Sequence, residues 1–210
     1  MFFSKRRNLH NDIESDPFRF LQRHVLTAAG VGRIGFDKTA GVSFHLNEFS
    51  VKNNKSFVTL ERPGSSSGSN LHGYWVPQGD SCVIPARPDR DRIVFTPDFT
   101  GCSIRVDKMK NGDFKVYHVQ GGNGRLDKEY LSKNHEEGMV AKMDYSDYSV
   151  SETGRCFAFL HYQDEGGWRI YAQKQAGLGI GMYRDEVKVN GPFFTTGIMI
   201  IDFEEPKTPQ

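Results

Sequence analysis

Residues 102–119 of the chain read CSIRVDKMKNGDFKVYHV. Apolar and polar residues alternate on both sides of the turn signal Lys110-Asn111-Gly112, which is the pattern of two antiparallel strands joined by a tight loop. The stretch begins with a thiol, Cys102, and has an imidazole, His118, next to its end. The register of this hairpin therefore decides which face of each strand is buried and how close the two reactive groups lie.

A two-residue loop formed by Asn111-Gly112 is the tighter way to close the hairpin. Arg105 would then pair with His118, and the imidazole would point to the face away from Cys102. Neither face of the hairpin would be consistently apolar in this register. The two-residue loop is therefore incompatible with a thiol–imidazole pair and with a well-formed core.

A three-residue loop, Lys110–Gly112, shifts the pairing by one position. Its first two residues form a type I turn and its glycine adopts the left-handed conformation. Ile104 then pairs with His118 and Val106 pairs with Val116, so that the apolar residues of both strands share one face. We predict this register.

In the three-residue register, Cys102 and His118 are diagonal neighbours on one face, with Cβ atoms about 7 Å apart or somewhat less. An imidazole at this position can accept the thiol proton and leave a nucleophilic thiolate. The pair predicts a cysteine-dependent acyl-transfer enzyme. The alternative interpretation of the same residues is a core thiol and an exposed histidine.

The other two cysteines lack such a partner. Cys156 and His161 share one strand-like run but are an odd number of positions apart, so a regular strand directs them to opposite faces. Cys82 follows a stretch without clear periodicity. We predict that both thiols are small buried hydrophobic groups.

The composition is that of one compact domain. The 210 residues suffice for a substantial core, and 27 Lys and Arg residues against 26 Asp and Glu residues create no basic field for nucleic acid or an anionic membrane. The three cysteines are too few and too irregularly spaced for a disulfide framework, which favours a reducing compartment. We predict a single catalytic domain over residues 1–210, with flexible tails at 1–12 and 204–210, no membrane insertion and a monomeric state.

The remaining pattern predicts an α+β fold, a β-sandwich of mostly antiparallel strands flanked by helices. One helix should begin at the Asp16 cap and Pro17 and end at Gly30, and a shorter one should span 127–134. A flexible loop should span 62–70, and residues 163–167 should form a hairpin turn. Besides the hairpin above, the predicted strands are 41–46, 57–60, 73–76, 92–96, 155–162, 168–173, 183–189 and 193–202.

At Thr100-Gly101-Cys102, with His118 on the following strand, the sequence resembles the glutamine deamidase toxins typified by the catalytic domain of cytotoxic necrotizing factor and by Burkholderia lethal factor. In that group a Ser-Gly-Cys element supplies the nucleophile and the next strand supplies the histidine, whereas threonine replaces the serine here. Thr96 matches a threonine that supports the dyad in the lethal factor. The fold implied by the resemblance is a β-sandwich with outer helices.

The resemblance implies an enzyme that converts a glutamine of a host protein to glutamate, without a metal or an organic cofactor. Rho-family GTPases and a translation initiation helicase are the substrates of the two relatives. The resemblance also implies a secreted bacterial effector that acts in the host cytoplasm and is delivered without a classical signal peptide.

The expected site has three parts. The catalytic residues are Cys102, His118 and Thr96, and the backbone N–H groups of Gly101 and Cys102 are candidates for binding the oxyanion. Substrate access is expected beside Gln120, Gly121 and Gly122. Two other functions share these features: a different thiol hydrolase, such as a cysteine protease, and a β-sandwich binding module without catalysis.

Overall fold

The computed structural model describes residues 8–31, 35–49, 56–64, 70–149, 154–177, 180–183, 186–189 and 193–205. Residues 65–69 of the predicted loop, together with residues 1–7 and 206–210 of the predicted tails, lie outside the described residues.

The described chain contains three α-helices, two short helical turns of other types and fourteen strands. In chain order they are α1 (Leu9–Ser15), α2 (Pro17–Arg23), β1 (His24–Thr27), a 3₁₀ turn (Ala29–Val31), β2 (Val42–Phe49), β3 (Ser56–Glu61), β4 (Leu71–Trp75), β5 (Ser81–Ile84), β6 (Ile93–Phe95), β7 (Ser103–Lys108), β8 (Phe114–Val119), a π-helical turn (Asp127–Leu131), β9 (Gly138–Met143), α3 (Tyr145–Tyr148), β10 (Arg155–Gln163), β11 (Gly167–Gly177), β12 (Ile180–Tyr183), β13 (Glu186–Val189) and β14 (Phe193–Asp202).

Two main sheets share one apolar core. The large sheet has the strand order β1-β3-β2-β4-β6-β10-β11-β14, and the small sheet has the order β5-β8-β7-β9; β12 and β13 pair separately. The described strand pairs are antiparallel except β1 with β3 and β4 with β6. The predicted α+β fold with mostly antiparallel strands is confirmed.

Strand β10 shows how the large sheet uses both faces. Every residue from Arg155 to Tyr162 is buried, as expected of a central strand that is covered on both sides. Cys156 and Ala158 point into the core shared with the small sheet, whereas Phe157 and Phe159 point into a second core that includes helix α2. The continuous apolar run in the sequence therefore reflects two cores that meet at one strand.

The outer face of the small sheet is covered by the segment that follows β8. Tyr130, in the π-helical turn, packs edge-on against Tyr117 with ring centroids 5.2 Å apart, and both side chains are buried beside Val119. The Tyr130 hydroxyl donates a hydrogen bond of 2.6 Å to Asp107 on β7. This hydrogen bond holds the π-helical turn, which follows the predicted access residues Gln120, Gly121 and Gly122, against the small sheet.

The predicted first helix is correct at its start and wrong at its end. The Asp16 carboxylate accepts a hydrogen bond of 2.9 Å from the Arg19 N–H, as an N-cap does, but the helix ends at Arg23. The following residues form β1, which pairs in parallel with β3, and the side-chain amides of Gln173 and Gln175 on β11 bond the Leu26 N–H and carbonyl. These distant partners outweigh the helical pattern.

Several other elements differ from the prediction at their edges. The predicted strand 183–189 is divided between β12 and β13, and the short strands β5 and β9 were not predicted. Of the predicted helix 127–134, only a π-helical turn forms, whereas the turn at residues 163–167 is confirmed by the pairing of Gln163 with Gly167. The predicted tail up to residue 12 includes the start of α1, and Ile13 of that helix is fully buried.

The structure confirms the three-residue loop between β7 and β8. Ile104 pairs with His118 and Val106 pairs with Val116. The Gly112 N–H donates to the Met109 carbonyl at 2.9 Å, and Gly112 has φ of +90°, in the left-handed region. Cys102, which continues the face of Ile104, therefore lies on the same side of the hairpin as the imidazole.

We expect Gly112→Ala to lower the free energy of unfolding by about 1–2 kcal/mol, because a side chain disfavours the left-handed backbone. A Cβ atom at Gly112 would meet no atom within 4 Å, so steric overlap does not contribute. Urea denaturation measures the change. Gly64→Ala is the matched control, since a Cβ atom there also meets no atom within 4 Å and no left-handed backbone is involved. Equal destabilisation by both substitutions would contradict the assigned turn.

Candidate active site

Both sheets contribute side chains to the region around Cys102. His118 is on β8 and Cys102 directly precedes β7, both in the small sheet, whereas Thr96 directly follows β6 in the large sheet. Cys102 is 4 % exposed, His118 is 1 % exposed and Thr96 is 2 % exposed. The predicted catalytic residues thus converge between the sheets, largely shielded from solvent.

The Thr96 hydroxyl determines the tautomer of His118. Its Oγ1 atom lies 2.8 Å from the carbonyl oxygen of Val76 and 2.6 Å from His118 Nδ1. A carbonyl can only accept, so the single hydroxyl proton is donated to Val76 and Oγ1 must accept from the Nδ1–H group. Neutral His118 therefore has its proton on Nδ1 and an unprotonated Nε2.

The environment of His118 keeps the ring neutral. The Phe99 ring stacks on the imidazole with centroids 4.4 Å apart and an interplanar angle of 6°. Burial lowers the pKa of His118 to about 3, because the charged ring would lose its hydration. Nε2 is buried and has no hydrogen-bond partner among the described residues. The unprotonated Nε2 atom therefore keeps a lone pair that can accept a proton.

The Cys102 sulfur makes a different contact. The side-chain amide Nε2 of Gln78 donates a hydrogen bond to Sγ at 3.6 Å. The described hydrogen bonds include none between Cys102 and His118, so the structure places thiol and imidazole on one face without joining them. Catalytic hydrogen bonds are often long in an enzyme without substrate and shorten in the complex.

The backbone around the thiol is held by a buried tyrosine. The hydroxyl of Tyr148 accepts a hydrogen bond of 2.9 Å from the Gly101 N–H and donates one of 2.8 Å to the Cys102 carbonyl. The Gly101 N–H, predicted as an oxyanion donor, is therefore occupied in this structure. The Cys102 N–H has no described acceptor.

The glycines after β8 have two distinct surroundings. A Cβ atom on Gly121 would lie 2.5 Å from the Gly101 carbonyl oxygen, so the two loops touch at this point. Gly101 and Gly122 have φ of +121° and +109°, and a Cβ atom on Gly101 would meet no atom within 4 Å. The Gln120 N–H donates to Glu129 at 2.7 Å. Open space thus lies beside the backbone that precedes the thiol.

The other two thiols are in the core, as predicted. Cys82 is 4 % exposed, and burial raises its pKa to about 12. Cys156 is fully buried, and burial raises the pKa of its thiol as well. A thiol of raised pKa carries little thiolate at neutral pH, so neither is a good nucleophile.

Gln78, Phe99 and Tyr148 were not predicted as site residues. The turn signal at Pro77–Asp80 was available in the sequence, but only the folded chain shows that this turn docks on β8. The Gly79 N–H donates to the His118 carbonyl at 2.8 Å, and the His118 N–H donates to the Asp80 carbonyl at 3.0 Å.

No group of three or more His, Cys, Asp or Glu side chains among the described residues is arranged to hold a metal ion. No helix that the structure describes is long and apolar enough to span a membrane.

Fold and site together define a β-rich α+β domain with a thiol and an imidazole buried between two sheets. A family model described as the Mcf1 activator-binding domain matches residues 8–190. The match spans most of the chain, which therefore belongs to the Mcf1 activator-binding domain family.

The chain is also similar to solved structures. The crystal structure of the C-terminal domain of CNFy from Yersinia pseudotuberculosis has a TM-score of 0.42 and 10 % sequence identity to this chain, and the similarity covers 93 % of this chain and 97 % of that domain. No curated protein sequence matched the chain.

We expect Thr96→Val to change the tautomer of His118. Valine matches threonine in shape but cannot accept the Nδ1–H hydrogen bond, so the preference for a proton on Nδ1 should be lost. The ¹⁵N chemical shifts of the His118 ring, measured by NMR at neutral pH, distinguish the tautomers. Thr59→Val, at another buried threonine, is the control. An unchanged Nδ1–H signal in Thr96→Val would contradict the assignment.

The lowered pKa of His118 predicts a pH-dependent stability. Between about pH 6.5 and about pH 3 the unfolded chain binds a proton at this residue that the folded chain does not, so the free energy of unfolding should fall as the pH falls. The contribution should reach about 1.4 kcal/mol per pH unit within this window. His118→Gln should show a smaller slope in urea denaturation across the same range.

The slopes, rather than the absolute stabilities, should be compared. His161, whose pKa is lowered by burial to about 4, is present in both proteins and adds the same slope to each. Identical slopes for the parent protein and His118→Gln would show that His118 is not held neutral.

Proposed function

We propose that the domain is a cysteine-dependent protein glutamine deamidase. The observation that supports this most strongly is the hydrogen bond from His118 to Thr96, which leaves the basic Nε2 atom of a neutral imidazole on the face shared with Cys102. Thr96 and His118 match the positions expected from the resemblance to the deamidase toxins. The substrate would be a glutamine of a host protein, and the protein would act as a secreted bacterial effector in the host cytoplasm.

The first step would transfer the thiol proton of Cys102 to His118 Nε2. Burial alone disfavours the imidazolium, but a thiolate beside it stabilises the positive charge, so the transfer and the formation of the ion pair go together. Thr96 supports the charged ring, because its hydroxyl oxygen accepts from Nδ1–H in both protonation states.

The thiolate would then attack the carboxamide carbon of the substrate glutamine, forming a C–S bond while the carbonyl electron pair moves to oxygen. Collapse of this oxyanion breaks the C–N bond, and His118 returns its proton to the departing ammonia. Water attacks the resulting thioester, gives a proton to His118 and releases glutamate and the thiol. Neither a metal nor an organic cofactor takes part in these steps.

Access to the thiol is the structural requirement of this mechanism. Gln78 is exposed while Cys102 is buried, so the Gln78 amide marks the side from which a substrate reaches the sulfur. A Cβ atom on Gly101 would meet no atom within 4 Å, so space is open beside the residue that precedes the thiol.

The family name supports a second candidate function. The matching model is described as an activator-binding domain, which favours a domain that binds a protein activator without catalysis. Such a domain would need the surface of the sandwich but not the thiol. The two candidates therefore differ in whether Cys102 is required.

Mass spectrometry of a host-cell lysate incubated with the protein tests the deamidase directly. We expect glutamine-to-glutamate conversion in a specific lysate protein, and we expect Cys102→Ser and His118→Ala to abolish it. Cys82→Ser is the matched control, since its thiol lacks a basic partner and should be dispensable. Circular dichroism confirms that each variant is folded.

The other outcomes separate the alternatives. New peptide termini that depend on Cys102 would indicate a cysteine protease. Conversion that persists in folded Cys102→Ser would contradict the mechanism. A lysate protein bound equally by the parent and by Cys102→Ser, with no change in any glutamine, would favour the binding module.

A further inference from the structure

The contact between the Gln78 side-chain amide and the Cys102 thiol suggests that Gln78 takes part in the reaction itself. We infer that the Gln78 side-chain amide is a catalytic oxyanion donor, which binds the negatively charged oxygen formed when Cys102 attacks a carbonyl carbon. This inference rests on the proposed function, because it assigns a residue to the acyl-transfer step of the same site.

The contact geometry supports the role. Gln78 Nε2 is 3.6 Å from Cys102 Sγ. In a tetrahedral adduct, the oxyanion is attached to the carbon that is bonded to Sγ, so it forms next to the sulfur. A donor already near Sγ can reach the range of about 2.7–3.1 Å that oxyanion donors occupy with a small side-chain rotation.

The chemistry of the amide fits the same step. A thiolate and an oxyanion can only accept hydrogen bonds, so both select the NH₂ end of the carboxamide. The amide carries no charge, and its pKa does not compete with proton transfer between Cys102 and His118. It can therefore follow the negative charge from the sulfur to the oxygen as the bond forms.

Of the two backbone N–H groups predicted to bind the oxyanion, one already has a hydrogen-bond partner. The Gly101 N–H is bonded to the Tyr148 hydroxyl at 2.9 Å, so it is not free to bind an oxyanion in this structure. The Cys102 N–H has no described acceptor. An oxyanion hole is usually built from two donors, and Gln78 supplies the second one here.

The backbone at Gln78 is also fixed in place. The Pro77 carbonyl accepts from the Asp80 N–H at 3.2 Å, which closes the turn, and the hydrogen bonds from Gly79 and to Asp80 join the turn to both sides of the His118 peptide. The turn that carries the donor and the strand that carries the base therefore move as one unit. This rigidity is what an oxyanion donor requires.

Two reactions of the thiol separate oxyanion binding from simple thiol reactivity. Acylation by p-nitrophenyl acetate passes through a tetrahedral oxyanion before p-nitrophenolate leaves. Alkylation by iodoacetamide displaces iodide at carbon and forms no oxyanion. Both reactions require the Cys102 thiolate, and Cys102→Ser gives the background for each.

We expect Gln78→Met, which keeps the length of the side chain but removes the donor, to slow acylation of Cys102 by about 10²-fold. Alkylation should change by less than a factor of about 3, while His118→Ala should slow both reactions. Gln163→Met, a glutamine substitution in the distant β10–β11 turn, is the matched control and should leave both rates unchanged. The burst of p-nitrophenolate and the mass of the alkylated protein provide the two readouts.

Each result decides between distinct possibilities. Equal changes of both rates in Gln78→Met, or no change in either, would overturn the oxyanion role while leaving the nucleophile intact. No Cys102-dependent acylation in the parent protein would overturn both this role and the proposed mechanism. If acylation is normal and depends on Gln78 but no lysate protein shows glutamine conversion, the oxyanion role stands and the proposal that the substrate is a protein glutamine is contradicted.

Discussion

The hydrogen bond between His118 and Thr96 connects the two sheets at the point where the thiol lies. Thr96 directly follows strand β6 of the large sheet, and His118 is held in the small sheet by the pairing of β8 with β5 and β7. Because Thr96 gives its own proton to Val76, the bond has one direction only. The contact between the two sheets therefore determines which nitrogen of the neutral His118 ring carries the proton.

The three thiols have different neighbours even though all are 4 % exposed or less. Cys82 and Cys156 face apolar neighbours and have raised pKa values, so their thiols act as core side chains. Cys102 lies in the same core but is contacted by an amide donor and shares its face with an unprotonated nitrogen. Polar neighbours, rather than exposure, separate a candidate nucleophile from a structural thiol.

The hairpin register was predictable because strand geometry repeats every two residues and only one loop length brings the apolar residues onto one face. The positions of Cys102, His118 and Thr96 follow from that local pattern and from a resemblance in sequence. Gln78 and Tyr148 could not be found in this way, since they are 24 and 46 residues from Cys102 and come to it from separate segments. Strand β1 was missed for a similar reason, because the glutamines that bind its backbone lie about 150 residues further along the chain.

The described residues offer no hydrogen-bond partner to the Nε2 atom of His118, which is what its proposed role as a base requires. A buried polar atom without a hydrogen bond costs about 1–3 kcal/mol of stability, and an apolar side chain would avoid that cost. The ring packs well on Phe99, but a phenylalanine or leucine could provide similar packing. A hydrogen-bond donor that reaches Nε2 would recover the lost interaction, and the Cys102 thiol lies on the same face of the hairpin. Under the proposed mechanism, the approach of the thiol to Nε2 would supply this hydrogen bond and begin the proton transfer.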